Sequence, residues 1–506
     1  MKLSVCCFLF LEVKNEIRAK VSRAFGILLI VSMGWSGIAF SQTWRPLRNQ
    51  PSFGASTPLL LTDGSVLVQE DSPSSWSRLI PDDTGSYING TWKNAAPMPP
   101  GYGPVAYASA VLPDGRVIVE GGEYNLGQLE WTTLGAIYDP TSDTWTSVNP
   151  PAGWTIIGDA QSVVLADGTF MMANCCAYPF AAALFDAKTL TWTFTGSNKQ
   201  DLYDEEGWTL LPDGTVLTVD TENAAHPTHA EKYIPDLGEW ISARSTIVLL
   251  GDPPTAEIGP AVLRPDGTVL ATGANSVKTK AGHTSIYHPP ANPMKPGTWV
   301  PGPDIPDENA MGDAPAALLP DGNVLCDTDH GNQNPPTTFY EFDGTKFTKV
   351  PGPPNSTKDS TGGGSMLVLP TGQIFFTDGS SDVELYTPKG KPDPSWTPVI
   401  TAFPGKVTRG KSYVISGMQF NGLSQGGMYG DDRQVATNYP LVRITNNASH
   451  HVFYARTHDH STMGVATGKN KVSTHFDVPA NTDTGASKLI VVANGIASKP
   501  VAVSVQ

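Results

Sequence analysis

The sequence predicts an all-β protein: a seven-bladed β-propeller followed by an immunoglobulin-like β-sandwich. Three observations carry that expectation. Gly and Pro make up 94 of 506 residues, about 19% against roughly 12% in average proteins. An apolar–Asp-Gly–apolar unit recurs along most of the chain. Near residue 400 that unit stops and a different strand pattern begins. Charged residues are 16% and hydrophobic residues 40%. This excludes a coiled coil, a helical repeat array and a charge-driven disordered chain.

The first element, residues 1–41, reads as a secretion signal. Basic residues (Lys2, Lys14, Arg18, Lys20, Arg23) precede an apolar run from Ala24 to Phe40. Ala39 and Ser41 place small residues before a cut ahead of Gln42. The expected location is secreted or periplasmic, with no membrane attachment after signal removal. Of the five cysteines, only Cys175, Cys176 and Cys326 remain past this segment, too few for a disulfide framework. Adjacent Cys175 and Cys176 are read either as buried thiols or as a vicinal disulfide.

The second element, residues 42–400, holds the repeat. Its turns centre on Asp63, Asp114, Asp167, Asp213, Asp266, Asp321 and, in the seventh copy, Thr371. Asp-Gly between apolar β-formers signals a hairpin, because Gly accepts a positive φ in a tight turn. A second pair of strands follows each hairpin. Its aromatic markers are Tyr138, Phe185, Tyr233, Tyr287, Tyr340 and Tyr386, then Trp145, Trp192, Trp240, Trp299, Phe347 and Trp396; the first copy has Leu79 and Trp92. Four strands per copy, seven times over, predict a propeller. The segment around Trp44 resembles an outer strand and is expected to close the ring against the last sheet.

The third element, residues 401–506, lacks the Asp-Gly unit. It holds the alternating segments KSYVISGMQF, YPLVRITN, HVFYART, STHFDVP and SKLIVVANG. Short strands over this length predict an immunoglobulin-like sandwich.

YPLVRITN followed by ARTHDHSTMG, together with the glycine pair Gly121-Gly122, resembles the galactose oxidase and glyoxal oxidase superfamily. That family pairs a seven-bladed kelch propeller with a C-terminal early-set, immunoglobulin-like domain. The resemblance implies a copper-dependent alcohol or aldehyde oxidase in which His458 matches a copper ligand. The family's Tyr-His pair is missing from the stretch Ser360–Ser365, and its Cys and Tyr are missing from GDAQSVVLADG and YDEEGWTLLPDG.

Propeller geometry puts the Asp-Gly turns on one face and the starts of the innermost strands on the other. That second face is rich in acid. Asp159, Asp204, Glu205, Glu206, Glu257 and Asp313 precede first strands; Glu70, Glu120, Glu123, Asp220, Asp327, Asp329, His330 and Asp378 follow second strands. Of these, Asp159, Asp204, Glu205, Glu257, Asp313, Asp327 and Asp329 are expected to line a ligand site. Converging carboxylates repel one another, which raises their pKa values or recruits a cation. A divalent cation is therefore expected, either calcium or copper. His330, His458 and His460 are the candidate nitrogen ligands, the last two facing one way if they lie on one strand.

A formal net charge of −15 disfavours nucleic acid as a partner. The leading expectation is a monomer that binds an extracellular carbohydrate or small polar molecule at an acidic mouth. The alternatives are a copper oxidase with a divergent site, a lyase or hydrolase using paired carboxylates, and a protein-interaction scaffold. An acidic solvated rim without a ligand is the plainer account of the same charges.

Overall fold

The computed structural model describes residues 43–175 and 180–506. The expected signal segment and Cys176 lie outside these residues. The described chain is all-β, with two short 3-10 turns at Thr361–Gly363 and Pro394–Trp396. Among the described residues, no helix is long and apolar enough to cross a membrane.

Each Asp-Gly unit forms a hairpin. The glycines of all seven turns, Gly64 to Gly372, adopt φ between 78° and 92°. In six of them the preceding Asp accepts the backbone N–H two residues on, as in Ser65 N to Asp63 Oδ1 at 3.0 Å. The turn is thus set locally: the Asp side chain caps it and only Gly tolerates its last position without strain.

Seven antiparallel sheets result, each with four strands from the ring. The first runs Ala55–Leu60, Val66–Glu70, Trp76–Ile80 and Thr91–Asn94; the next five repeat that meander. The seventh takes Ser365–Val368, Ile374–Thr377 and Glu384–Thr387 from one end of the chain and Thr43–Pro46 from the other. Innermost strands of neighbouring sheets touch, and Ala55–Leu60 meets both Ala108–Val111 and Ser365–Val368. The sheets therefore form a ring, closed as expected by the strand containing Trp44.

An aromatic pair staples the third strand to the fourth in most sheets: Tyr138 faces Trp145, Phe185 faces Trp192, Tyr233 faces Trp240 and Tyr287 faces Trp299. Two expected markers are corrected. In the sixth sheet Phe342, not Tyr340, faces Phe347. In the seventh, Tyr386 faces Trp44 and not Trp396, which sits in the 3-10 turn Pro394–Trp396. Trp44 packs against Phe339, Phe376 and Tyr386 at ring distances of 5.0 to 5.5 Å.

The C-terminal region begins with Val399–Ala402, which pairs with Ser412–Met418. Its strands follow one curled path of hydrogen-bonded neighbours around Ile415, Phe420, Val442, Ile444, Phe476, Leu489 and Val491. Val452–His458 bridges its two halves, pairing with Leu441–Asn446 through Val452–Ala455 and with Val472–Asp477 through Arg456–His458. This region sits on the turn face of the ring. Thr457, His460 and Met463 donate backbone hydrogen bonds to Thr62, Pro113 and Ala166, all within or beside Asp-Gly turns.

A finger leaves this region between Met418 and Leu441 and enters the pore. Gly427–Met428 adds to the inner strand Ala316–Leu318. Gln434 Oε1 accepts from Ser109 N and Ser162 Oγ, and Gln425 Oε1 accepts from Leu210 N. The finger so engages the second, third, fourth and sixth sheets. Clearance is tight: a Cβ on Gly207 would stand 2.3 Å from the Gly430 carbonyl oxygen.

Candidate cation-binding mouth

The finger tip, Gly430-Asp431-Asp432-Arg433, emerges where the inner strands begin. Carboxylate oxygens of Asp159, Glu205 and Asp431 lie within 4.8 Å of one another, as do those of Glu205, Glu257 and Asp313. Glu205 belongs to both triads and joins five carboxylates from five parts of the chain. Two of the five hold strained backbone: Glu205 at φ 51° and Asp313 at φ 47°. A non-Gly residue there costs on the order of 1 kcal/mol and persists when its surroundings demand it.

Burial and mutual repulsion press these acids toward their neutral forms. Asp159, 8% exposed, is pushed up to about 8 by burial and by Asp432 and Glu123. Burial and Asp432 bring Asp313 to about 7. Burial and Asp313 take Glu257 to about 10. Glu205 and Asp431 are raised well above the usual range, burial again leading. Gln333 Nε2 donates to Asp313 Oδ2 at 2.7 Å and to Glu257 Oε1 at 3.3 Å. The other oxygen of each, Asp313 Oδ1 and Glu257 Oε2, is buried without a hydrogen-bond partner. Among the described residues, no Lys or Arg forms a salt bridge with Glu205, Glu257, Asp313 or Asp431. Arg433 is close, but it donates to the Gly364 carbonyl and lies over the Tyr429 ring.

The next residue along behaves differently. Glu206 is fully buried and meets Lys199 Nζ at 2.6 Å. Lys199 also holds Glu231 at 2.6 Å and Asp220 at 3.8 Å, and Asp220 meets His229 at 2.6 Å. Burial alone lowers the Lys199 pKa, but Glu206 and Glu231 more than reverse it. Here a lysine ammonium already fills the space between carboxylates.

The remaining expected residues fall elsewhere. Asp204 flanks the cluster; burial and Glu222 push it up to about 6. Asp327 and Asp329 are fully buried between the sixth and seventh sheets, outside both triads. Asp329 Oδ2 accepts from Asn334 N and Thr361 Oγ1, a loop-tying role. His330 Nδ1 donates to the Glu308 carbonyl, outside both triads. His458 and His460 lie on the turn face, opposite the mouth, so the proposed match of His458 to a mouth ligand is corrected. Their shared facing is corrected too. The strand ends at His458, and Asp459 at φ 49° breaks the alternation. His460 is buried, stacked on Tyr439 and bound to Thr474 Oγ1; burial lowers it to about 3. Cys175 is disulfide-bonded, while Cys326 is buried and free.

Sequence reasoning missed Asp431 and Asp432. The available signal was the length of the Met418–Leu441 connection, since long loops in compact domains are usually functional.

The donor set is all oxygen. Such a set suits calcium, magnesium or manganese. A radical-copper centre needs an oxidisable Tyr on the metal with nitrogen ligands in near-square geometry. Among the described residues, neither triad contains His or Cys, so the nitrogen ligands of the copper centre implied by the resemblance are missing from this mouth.

No family model matches the chain. Over 128 residues it is 30% identical to the Kelch-like protein terF of Aspergillus terreus (strain NIH 2624 / FGSC A1156), covering 25% of this chain and 26% of that protein. The match thus spans about a quarter of the relative's length. A solved fungal alcohol oxidase of the AA5 family, in complex with copper, superposes with a TM-score of 0.53 at 14% identity, covering 92% of this chain and 99% of that one. A solved structure of YjhT covers 60% of this chain and 99% of its own at 12% identity, with a TM-score of 0.40. The likeness to the alcohol oxidase is one of fold.

Proposed function

We propose that this chain is an exported binding protein whose mouth grips a hydroxyl-rich ligand, such as a carbohydrate, through a divalent cation. The observation that supports it is Glu205, shared by two carboxylate triads that lack a salt-bridged lysine or arginine for Glu205, Glu257, Asp313 and Asp431. A calcium ion takes six to eight oxygen ligands and leaves positions for ligand hydroxyls. Trp131, 43% exposed, supports the saccharide class. Its ring lies 3.7 Å from the Cβ position of Gly158, the residue before Asp159. An aromatic face beside an acidic pocket matches a sugar ring, which has an apolar face and a polar edge. Export rests on the basic-apolar leader of residues 1–41.

Calorimetric titration of calcium, magnesium and manganese into metal-stripped protein tests this, followed by a glycan panel with and without chelator. Binding of one of these ions, lost in Glu205→Gln and Asp431→Asn, is the expected result. Unchanged binding in both variants overturns it. The copper oxidase is the second reading, kept because a copper-bound alcohol oxidase shares the fold. Copper-dependent peroxide formation from alcohols would put it first.

A further inference from the structure

We propose a second metal site, for a borderline ion such as zinc, on the turn face, built from His458, His475 and Asp459. It is independent of the mouth and of the reading given to it. His458 and His475 are directly opposite residues on paired strands, so their side chains share a face. Their rings stack at 5.4 Å. One ring nitrogen from each and a carboxylate oxygen of Asp459 lie within 4.8 Å of one another.

The surroundings orient these groups as outer partners orient metal ligands. His458 Nε2 meets Asp477 Oδ1 at 3.1 Å, and Arg456 holds the other oxygen of Asp477 at 3.2 Å. His458 Nδ1 donates to Asp459 Oδ2 at 2.8 Å, and a bound metal would replace the proton between them. A carboxylate behind a histidine in this way orients its ring as a metal ligand's outer partner does. The second observation comes from His475, whose Nδ1 is buried and without a hydrogen-bond partner. A buried unpaired ring nitrogen is costly, and coordination would satisfy it.

Access and donor chemistry agree. The Asp459 side chain is 56% exposed and lines an open cavity of about 380 Å³ with Asp114, Asp167 and Lys188. Two imidazoles and one carboxylate are a zinc donor set with a fourth position left open. The strand end is what assembles it: the left-handed Asp459 folds its carboxylate back beside the ring of the preceding residue.

The experiment uses zinc alone, titrated into metal-stripped full chain carrying Glu205→Gln to silence the mouth. One zinc equivalent is expected there, and it is lost when His458→Ala and His475→Ala are added. An unchanged zinc stoichiometry in that triple variant overturns the proposal. Cobalt substitution of the unmutated protein is the second readout and needs no folded variant. Intense visible bands of nitrogen-ligated, low-coordinate cobalt support the site; a weak six-coordinate oxygen spectrum overturns it.

Discussion

Glu205 and Glu206 are neighbours in sequence and opposites in circumstance. Glu206 points into the fourth sheet, where Lys199 ties it to Glu231 and Asp220, one ammonium among three carboxylates. Glu205 points to the axis, where it meets Asp159, Asp431, Glu257 and Asp313. Both groups gather buried carboxylates, and only one has a built-in ammonium at its centre. The contrast teaches how to read buried acid: a resident ammonium ties it into the framework, although burial still raises Glu206, and without one the acid is left to protons or to an ion from solution.

The largest test of that contrast is Lys199→Met. It strands Glu206, Glu231 and Asp220, and breaking a buried ion pair on one side costs about 3–5 kcal/mol. Denaturant unfolding should show a loss of that order, and added calcium should not restore it. A loss under about 1 kcal/mol would place the two clusters in one class.

The next test is pH. The raised pKa values at the mouth mean that the folded protein holds protons its unfolded carboxylates release, near pH 4. Stability then depends on pH with a negative slope. In chelator, the unfolding free energy should fall as pH rises from about 4 through about 8, by on the order of 1–3 kcal/mol. Glu205→Gln should flatten this fall, and calcium should reverse it at neutral pH by about 2.7 kcal/mol at a hundredfold excess over Kd. A stability flat across that window would remove the electrostatic basis of the mouth.

The smallest effect belongs to Trp131→Ala. The residue is half-exposed, so unfolding should shift by less than about 0.5 kcal/mol. Saccharide affinity should weaken by about 1 kcal/mol, roughly fivefold. An unchanged affinity would leave the carboxylates as the whole of the recognition surface.

Much of the fold was legible because its instructions are local. An Asp that caps its own turn and a Gly that tolerates positive φ write each hairpin within five residues. The closing role of Trp44 was readable for the same reason, since its segment looks like an outer strand wherever it lies. Seven mouth acids were named from topology; the structure brings four of them into the triads, leaves Asp204 at the flank and places Asp327 and Asp329 outside them. The finger was not legible. Gln434 finds Ser109 and Ser162 across 325 and 272 residues, and no periodicity announces such partners. Glu205 was expected at the ligand site and Glu206 was not, but the left-handed backbone angle at Glu205 that separates them is visible only in the structure. The place of His458 was hidden for the converse reason. A short motif matched, but which face of the ring it reaches is decided by how the C-terminal strands sit on the turns.

The finger has one more consequence. With its pore stoppered by the chain's own backbone, the rosette is a cul-de-sac and not a conduit. Whatever enters the mouth must leave by the same door, and its floor, Asp431, is anchored in another module. A tilt of that module would raise or lower the floor directly.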